Sequence, residues 1–234
     1  MQCQDPQLFP AAVGRHDQLP LYGHLIGNQW VASETPPLVV LAPATGRQFA
    51  WLASGGAHEI NTAVQTARKA LSGTWGKLTA TERGRLMLAF SALVLANTER
   101  LAWIEAHDTG KPISQARADM RAVARYFEFY AGAADKVHGE VIPYLNGYNV
   151  MVVREPLGVT AHITPWNYPA QMFGRTIAPA CSPRPVTIFS APGGKPASTM
   201  SLPSSRHTRQ ASSAGLSTAA LPMARAGAMV RPNI

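Results

Sequence analysis

A short apolar strand that runs into a proline-bounded turn and then into a helix constrains this chain most strongly. Residues 159–164 (VTAHIT) are apolar enough for a central strand of a parallel sheet. The turn is PWNYP at 165–169, and the helix is predicted over 171–178, with Pro169 near its first turn. Proteins of the α/β class bind ligands at this geometry, outside the carboxyl end of a strand. The sequence therefore predicts an α/β fold with a ligand site at the turn.

Strand signals precede this segment near the N-terminus. Residues 1–20 show no periodicity and are expected to form an irregular arm. A β-hairpin is predicted over 21–31 (LYGHLIGNQWV), because Gly27-Asn28 is a turn-forming pair between apolar residues. Two more strands are predicted at 37–41 and 49–53, separated by a turn that contains Pro43 and Gly46.

Four helices are predicted after the strands, from apolar residues that recur at spacings of three and four. The first spans 59–71, and the second begins at a capping box in which a hydroxyl and a carboxylate bond reciprocal backbone N–H groups. The third and fourth each have a polar N-cap candidate and a glycine near the end. The capping box of the second helix is Thr79–Glu82. The third helix is expected to begin at Asn97 and end near Gly110, and the fourth to begin at Ser114 and end near Gly139.

Composition changes after residue 180. Residues 181–234 carry six bases and no acid, so most of the net charge of +8 lies there, and more than half of these residues are Ser, Pro, Ala or Gly. Only 186–189 is typical of a strand, and the remainder is expected to be loop or disorder. Because the bases are scattered and Phe189 is the only aromatic residue among them, no nucleic-acid partner is expected.

Several classes of protein are not indicated. The apolar run between Arg85 and Glu99 is too short to span a bilayer, and the first residues lack the pattern of a secretory signal, so no membrane association is expected. Two cysteines fit a reducing cytoplasm. No metal site is expected, because the seven histidines are not at ligand spacing, and no glycine-rich phosphate loop or nucleophile elbow is present.

Residues 154–180 (REPLGVTAHITPWNYPAQMFGRTIAPA) closely resemble the NAD(P)-dependent aldehyde dehydrogenase superfamily. Three upstream segments resemble the same family: HLIGNQWV at 24–31, APATGRQFA at 42–50 and EAHDTGKP at 105–112. The resemblance covers about residues 20–180. It implies a Rossmann-like cofactor domain, of which this chain holds the N-terminal helical part and the first strand–turn–helix.

The resemblance also implies a reaction and its residues. Such enzymes oxidise an aldehyde to a carboxylate with NAD or NADP, through attack by a thiolate. The family's PWN asparagine, here Asn167, donates a hydrogen bond to the developing oxyanion. Without the family, Asn167 is a turn residue that bonds its own backbone, and His162 is a core histidine. Ile163, Thr164, Pro165 and Trp166 match the lining of the cofactor cleft, and Lys195 is the candidate for the lysine that holds the adenosine ribose.

The chain also departs from the family. The nucleophilic cysteine and the general-base glutamate are expected beyond residue 234, and Cys181 is not that nucleophile. A frameshift or premature end is expected to explain the tail, with a native insertion as the alternative. We therefore expect a truncated, inactive chain of an enzyme that is a homo-oligomer at full length. The expected parts are an arm at 1–20, a hairpin and helices at 21–140, an oligomerisation-type strand and the strand–turn–helix at 141–180, and the tail at 181–234.

Two other functions remain open from the sequence. One is a non-catalytic module that binds a nucleotide or caps another subunit. The other is a binder of nucleic acid or an anionic surface through the basic tail, for which binding should depend strongly on salt.

Overall fold

Six short strands lie near the N-terminus of the computed structural model, which describes residues 12–156, 158–182 and the backbone of 188–190. They are β1 (Gly14–His16), β2 (Leu19–Tyr22), β3 (His24–Ile26), β4 (Gln29–Val31), β5 (Thr35–Ala42) and β6 (Arg47–Ser54). One sheet has the order β1-β2-β6-β5, in which β2 runs parallel to β6 and the other pairs are antiparallel. β3 and β4 form a separate antiparallel hairpin.

The predicted hairpin within 21–31 is confirmed. Gly27 and Asn28 form its two-residue turn with φ of 59° and 71°. Positive φ at both central residues matches the right-handed twist of the flanking strands, which is why this pair of residue types favours hairpins.

The expectation of an irregular arm at 1–20 is wrong for its second half. β1 and β2 form another hairpin, whose turn residues Asp17 and Gln18 have φ of 47° and 64°. Neither is glycine, so the turn has no strong local signal. The hairpin is held instead by a distant contact, the parallel pairing of Leu21 with Trp51. Residues 1–11 lie outside the described part of the chain.

Six helices occur in the described residues: α1 (Ala57–Ser72), α2 (Thr74–Lys77), α3 (Ala80–Ala96), α4 (Thr98–Thr109), α5 (Ile113–Ala133) and α6 (Pro169–Cys181). The predicted capping box of α3 is confirmed, because a Glu82 carboxylate oxygen accepts from the Thr79 backbone N–H at 2.7 Å and the Thr79 hydroxyl accepts from the Glu82 N–H. Gly110 ends α4 in the left-handed region, at φ 75°, as predicted.

Two predicted caps are wrong. The Asn97 side chain does not cap α4; its Nδ2 donates to the Leu93 carbonyl at the end of α3, at 2.8 Å. Ser114 lies inside α5, which begins at Ile113 after Pro112 and ends at Ala133 instead of near Gly139. A polar residue can bond backbone in either direction along the chain, so its type alone does not decide which helix it serves.

Helices α3, α5 and α6 share the main hydrophobic core. Phe127 on α5 is fully buried, and its ring lies 4.4 Å from Phe90 on α3 and 6.0 Å from Phe173 on α6. Glycines allow the helices to approach closely. A Cβ at Gly84 would lie 2.7 Å from the Ala131 carbonyl oxygen, so α3 and α5 meet backbone to backbone there.

Two short strand pairs complete the described structure. β7 (Glu140–Ile142) and β8 (Val150–Val152) form an exposed antiparallel hairpin where the oligomerisation-type strand was expected, beginning one residue before the predicted segment 141–180. β9 (Thr160–His162) runs parallel to β10 (Ile188–Ser190), and α6 connects them. β10 overlaps the strand predicted at 186–189, of which residues 186 and 187 lie outside the described part of the chain. A parallel pair joined by a helix confirms the α/β fold class.

No single helix in the described residues is long and apolar enough to cross a membrane. Together α3 and α4 reach that length and composition, but they are bent by 71°.

Candidate functional site

The candidate site is the turn between β9 and α6. Thr164 is buried beneath it, whereas Ile163 and Trp166 remain 64% and 48% exposed. Asn167 is exposed at the tip of the turn, and Pro169 is the first residue of α6. The strand end thus presents two apolar side chains and one amide on the surface. Pro165 is half-buried between them, so the predicted cleft residues 163–166 lie together at this turn.

The Asn167 side chain makes no hydrogen bond with the residues that the structure describes. The alternative interpretation, a turn residue that bonds its own backbone, therefore has no hydrogen bond to support it in this part of the chain. Among the described residues its amide N–H groups have no acceptor, and the side chain is exposed on a turn bounded by two prolines.

His162 is half-buried on β9 and lies outside the two hydrophobic cores, so it is not the core histidine that was expected. Its Nε2 lies 2.8 Å from the Thr160 hydroxyl, so the two side chains share a hydrogen bond on one face of β9. Burial lowers the pKa of His162 below its ordinary value. A neutral imidazole with a protein partner fits a packing role.

The N-terminus of α6 is bound by a carboxylate of the same chain. Glu105 Oε2 accepts from the Ala170 N–H at 3.3 Å. Beside it, Gln171 Nε2 donates to Asp119 Oδ1 at 2.7 Å. The positive end of a helix favours an anion, and Glu105 supplies it here. In glycine-rich dinucleotide sites the corresponding first strand–helix turn binds phosphate; here Glu105 bonds one of its N–H groups.

A buried trio of charged residues (Glu105, Lys111 and Asp119) lies below the turn. Lys111 Nζ donates to Glu105 Oε1 and, at 2.7 Å, to Asp119 Oδ2. Burial of the carboxylates raises the pKa of Glu105 to about 7, against the opposing effect of Lys111. Burial alone would lower the pKa of Lys111, but its hydrogen bonds to Asp119 and Glu105 outweigh that effect and raise it. Lys111 is therefore a cation held between two carboxyl groups.

The trio also reaches the turn itself. Lys111 Nζ lies 4.2 Å from the centre of the Tyr168 ring, a cation–π contact. The Tyr168 hydroxyl oxygen accepts from Gln115 Nε2 at 3.0 Å. The residue that follows Asn167 is thus fixed from two directions by the junction of α4 and α5.

The trio was not predicted from the sequence as part of the site. Glu105 and Lys111 lie in EAHDTGKP, which carried a family resemblance but no assigned role. Asp119 occupies a helical position where a charged residue usually faces solvent, and it is only 2% exposed. The sequence did contain one signal for the trio: a lysine that directly follows a helix-ending glycine and has acidic residues before and after it.

The other candidate residues stand apart from this turn. Cys181 is a buried free thiol at the end of α6, and burial raises its pKa to about 12. A protonated, inaccessible thiol agrees with its exclusion as the nucleophile. Lys195 lies outside the described residues. In the described part of the chain, no group of three or more His, Cys, Asp or Glu side chains could hold a metal ion.

Parallel strands joined by a helix define an α/β protein, and proteins of this class bind ligands outside the carboxyl end of a strand. The sequence comparison identifies the family. The model of the aldehyde dehydrogenase family matches residues 30–217, and this chain belongs to that family. The matched range extends beyond residue 180, where the sequence resemblance was expected to end.

Named relatives agree with the family model. Aldehyde dehydrogenase family 2 member B4, mitochondrial, from Arabidopsis thaliana is 41% identical over 173 residues, which are 73% of this chain and 31% of the relative. A crystal structure of aldehyde dehydrogenase from Brucella melitensis biovar abortus 2308 is 33% identical with a TM-score of 0.70, and covers 80% of this chain and 36% of that one.

A second similar structure contains a cofactor. PnpE in complex with nicotinamide adenine dinucleotide is 33% identical with a TM-score of 0.69, over 72% of this chain and 35% of PnpE. The family uses NAD or NADP. This chain spans about a third of the length of these relatives.

Proposed function

We propose that this chain supplies the first cofactor-binding strand–turn–helix of an enzyme that oxidises an aldehyde to a carboxylate with NAD or NADP. The observation that carries the proposal is Asn167, exposed and without a hydrogen-bond partner in the described residues, between the exposed Trp166 and the start of α6. Family membership supports the reaction class. In this proposal Asn167 donates a hydrogen bond to the oxygen that becomes negative when a thiolate attacks the aldehyde carbon.

The cofactor residues of the proposal are Ile163, Thr164, Pro165 and Trp166. The exposed apolar surface of Ile163 and Trp166 suits a flat aromatic ring, and buried Thr164 anchors the strand end beneath them. Lys195 is retained as the candidate for the adenosine ribose. When bound, the nicotinamide cofactor accepts the hydride. We place the enzyme in the cytoplasm, as a homo-oligomer whose contacts include residues 141–154.

Titration of the 234-residue chain with NAD⁺ and NADP⁺ tests the cofactor surface. Tryptophan fluorescence should be quenched saturably, and the quenching should disappear in Trp166→Phe. Trp30→Phe is the matched control, because Trp30 is also partly exposed, at 38%, but lies on the β3–β4 hairpin. Quenching that persists in Trp166→Phe, or that never saturates, would refute a nicotinamide cofactor at this turn.

The oxyanion role proposed for Asn167 can be tested only in a protein that also contains the catalytic thiolate. Resequencing the gene from about codon 170 past the stop, with translation of all three frames, should reveal a cysteine and a glutamate in family context. In that longer protein, Asn167→Ala should lower kcat by about 100- to 1,000-fold with a smaller change in KM. An unchanged kcat would remove Asn167 from the catalytic step.

A non-catalytic nucleotide-binding or subunit-interaction module is the second candidate. Such a module requires no thiolate, and the one cysteine among the described residues, Cys181, is buried with the pKa of its thiol raised to about 12. Saturable cofactor binding by a chain whose gene encodes no downstream cysteine in family context would establish this function instead.

A further inference from the structure

The first turn of α6 is attached to the rest of the protein through one polar junction. Ala170 is the second residue of α6 and carries its first backbone N–H, because Pro169 has none; the first backbone hydrogen bond of the helix runs from the Met172 N–H to the Tyr168 carbonyl. Ala170 therefore has no helical acceptor. Its acceptor is Glu105 Oε2, across 65 positions of sequence.

Lys111 holds the Glu105 carboxyl group in place through a hydrogen bond. Its ammonium group donates to the other oxygen of Glu105, Oε1, and to Asp119 Oδ2. The second oxygen of Asp119 accepts from Gln171 Nε2 at 2.7 Å. Each carboxylate thus uses one oxygen for Lys111 and the other for the first turn of α6. Two buried carboxylates would repel each other without the cation between them.

We propose that Lys111 is a positioning residue: with Glu105 and Asp119 it fixes the first turn of α6, and thereby the turn that presents Asn167. The role assigned to Asn167 rests on the proposed function above. The attachment of the turn to Lys111 does not, because it is visible in the chain without cofactor or substrate.

The structure supplies a matched control for the charge of Lys111. Arg117 on α5 forms a two-pronged ion pair with Glu99 on α4, with Nε and Nη2 each 2.9 Å from a carboxylate oxygen. This pair joins the same two helices as the trio but is exposed and does not contact residues 165–171. Lys111→Met and Arg117→Met both remove one cation between α4 and α5, and only the first removes the support of α6.

The test uses ¹⁵N-labelled 234-residue chain and two signals. In Lys111→Met, the Ala170 backbone amide should exchange with solvent about ten-fold faster or more, because Glu105 is no longer held by Lys111 and its hydrogen bond to the Ala170 N–H is weakened or lost. The Asn167 side-chain amide should change its chemical shift. In Arg117→Met both signals should match the parent, and the Phe127 amide should stay protected in both variants.

Three results would overturn the proposal. These are an unchanged Ala170 exchange rate in folded Lys111→Met, an unmoved Asn167 signal in that variant, or equal changes in Arg117→Met. If Lys111→Met does not fold, Gln171→Met decides, because it deletes one bond to Asp119 and leaves the ion pairs intact. The Asn167 signal must then move. Cofactor titration of the parent chain is independent of these signals, so failure of the proposed function is distinguishable from failure of the positioning role.

Discussion

Replacement of Phe127 by alanine tests the core that supports α6. The side chain is fully buried on α5 and contacts ring partners on both neighbouring helices, Phe90 at 4.4 Å and Phe173 at 6.0 Å. Phe127→Ala removes the buried ring and leaves a cavity, so the free energy of unfolding should fall by about 3–5 kcal/mol. That is a large part of the total for a domain of this size, which is about 5–15 kcal/mol.

The measurement is urea unfolding followed by circular dichroism at 25 °C. Phe129→Ala is the control, because Phe129 lies two residues further along the same helix but is 58% exposed. Its substitution should cost less than about 1 kcal/mol, mostly from its edge contact with Tyr130. Equal losses for the two variants, or a loss under about 1 kcal/mol for Phe127→Ala, would show that α3, α5 and α6 do not share one core in solution.

Three further predictions concern the same helices. Gly84→Ala should lower the free energy of unfolding by about 1–3 kcal/mol, because the new Cβ meets the Ala131 carbonyl; a gain of about 1 kcal/mol from helix propensity would contradict the close α3–α5 approach. In a Cys3→Ser background, Cys181 should react with a thiol reagent only as fast as the protein unfolds, since burial raises the pKa of its thiol to about 12; rapid labelling in native buffer would disprove its burial. Thr79→Ala should cost about 1 kcal/mol in a thermal melt, and no change in Tm would mean that the capping box contributes nothing.

The sequence predicted the turns and helix ends that depend only on neighbouring residues. The Gly27-Asn28 turn, the Thr79 cap and the Gly110 helix end each depend on the conformational preference of one or two residues, and each is present. The Asp17-Gln18 turn depends on pairing between β2 and β6, about thirty residues apart in sequence, and was not predicted. Asn97 lies between the end of α3 and the start of α4, and an asparagine side chain can bond the backbone of either helix. The residue type therefore did not predict its hydrogen bond to α3.

The same division holds at the candidate site. The strand, the turn and the helix of residues 159–178 follow from apolar runs and two prolines, so their order was predictable. The buried trio was not predictable, because a hydrophobicity pattern assigns charged residues to the surface. Glu105 and Asp119 are buried with the Lys111 ammonium group between them, which is a property of three separate positions taken together.

The trio links two segments that resembled the family independently. EAHDTGKP at 105–112 ends α4 and begins the approach to α5, and PWNYP at 165–169 begins α6. Glu105 and Lys111 from the first segment contact Ala170 and Tyr168 at the second. A turn that must hold one amide in place for a ligand gains precision when its neighbours are fixed by buried charged groups, because removing any one of them leaves another unpaired. Under the proposed positioning role, the α4–α5 junction belongs to the candidate site, although none of its residues lies on the turn.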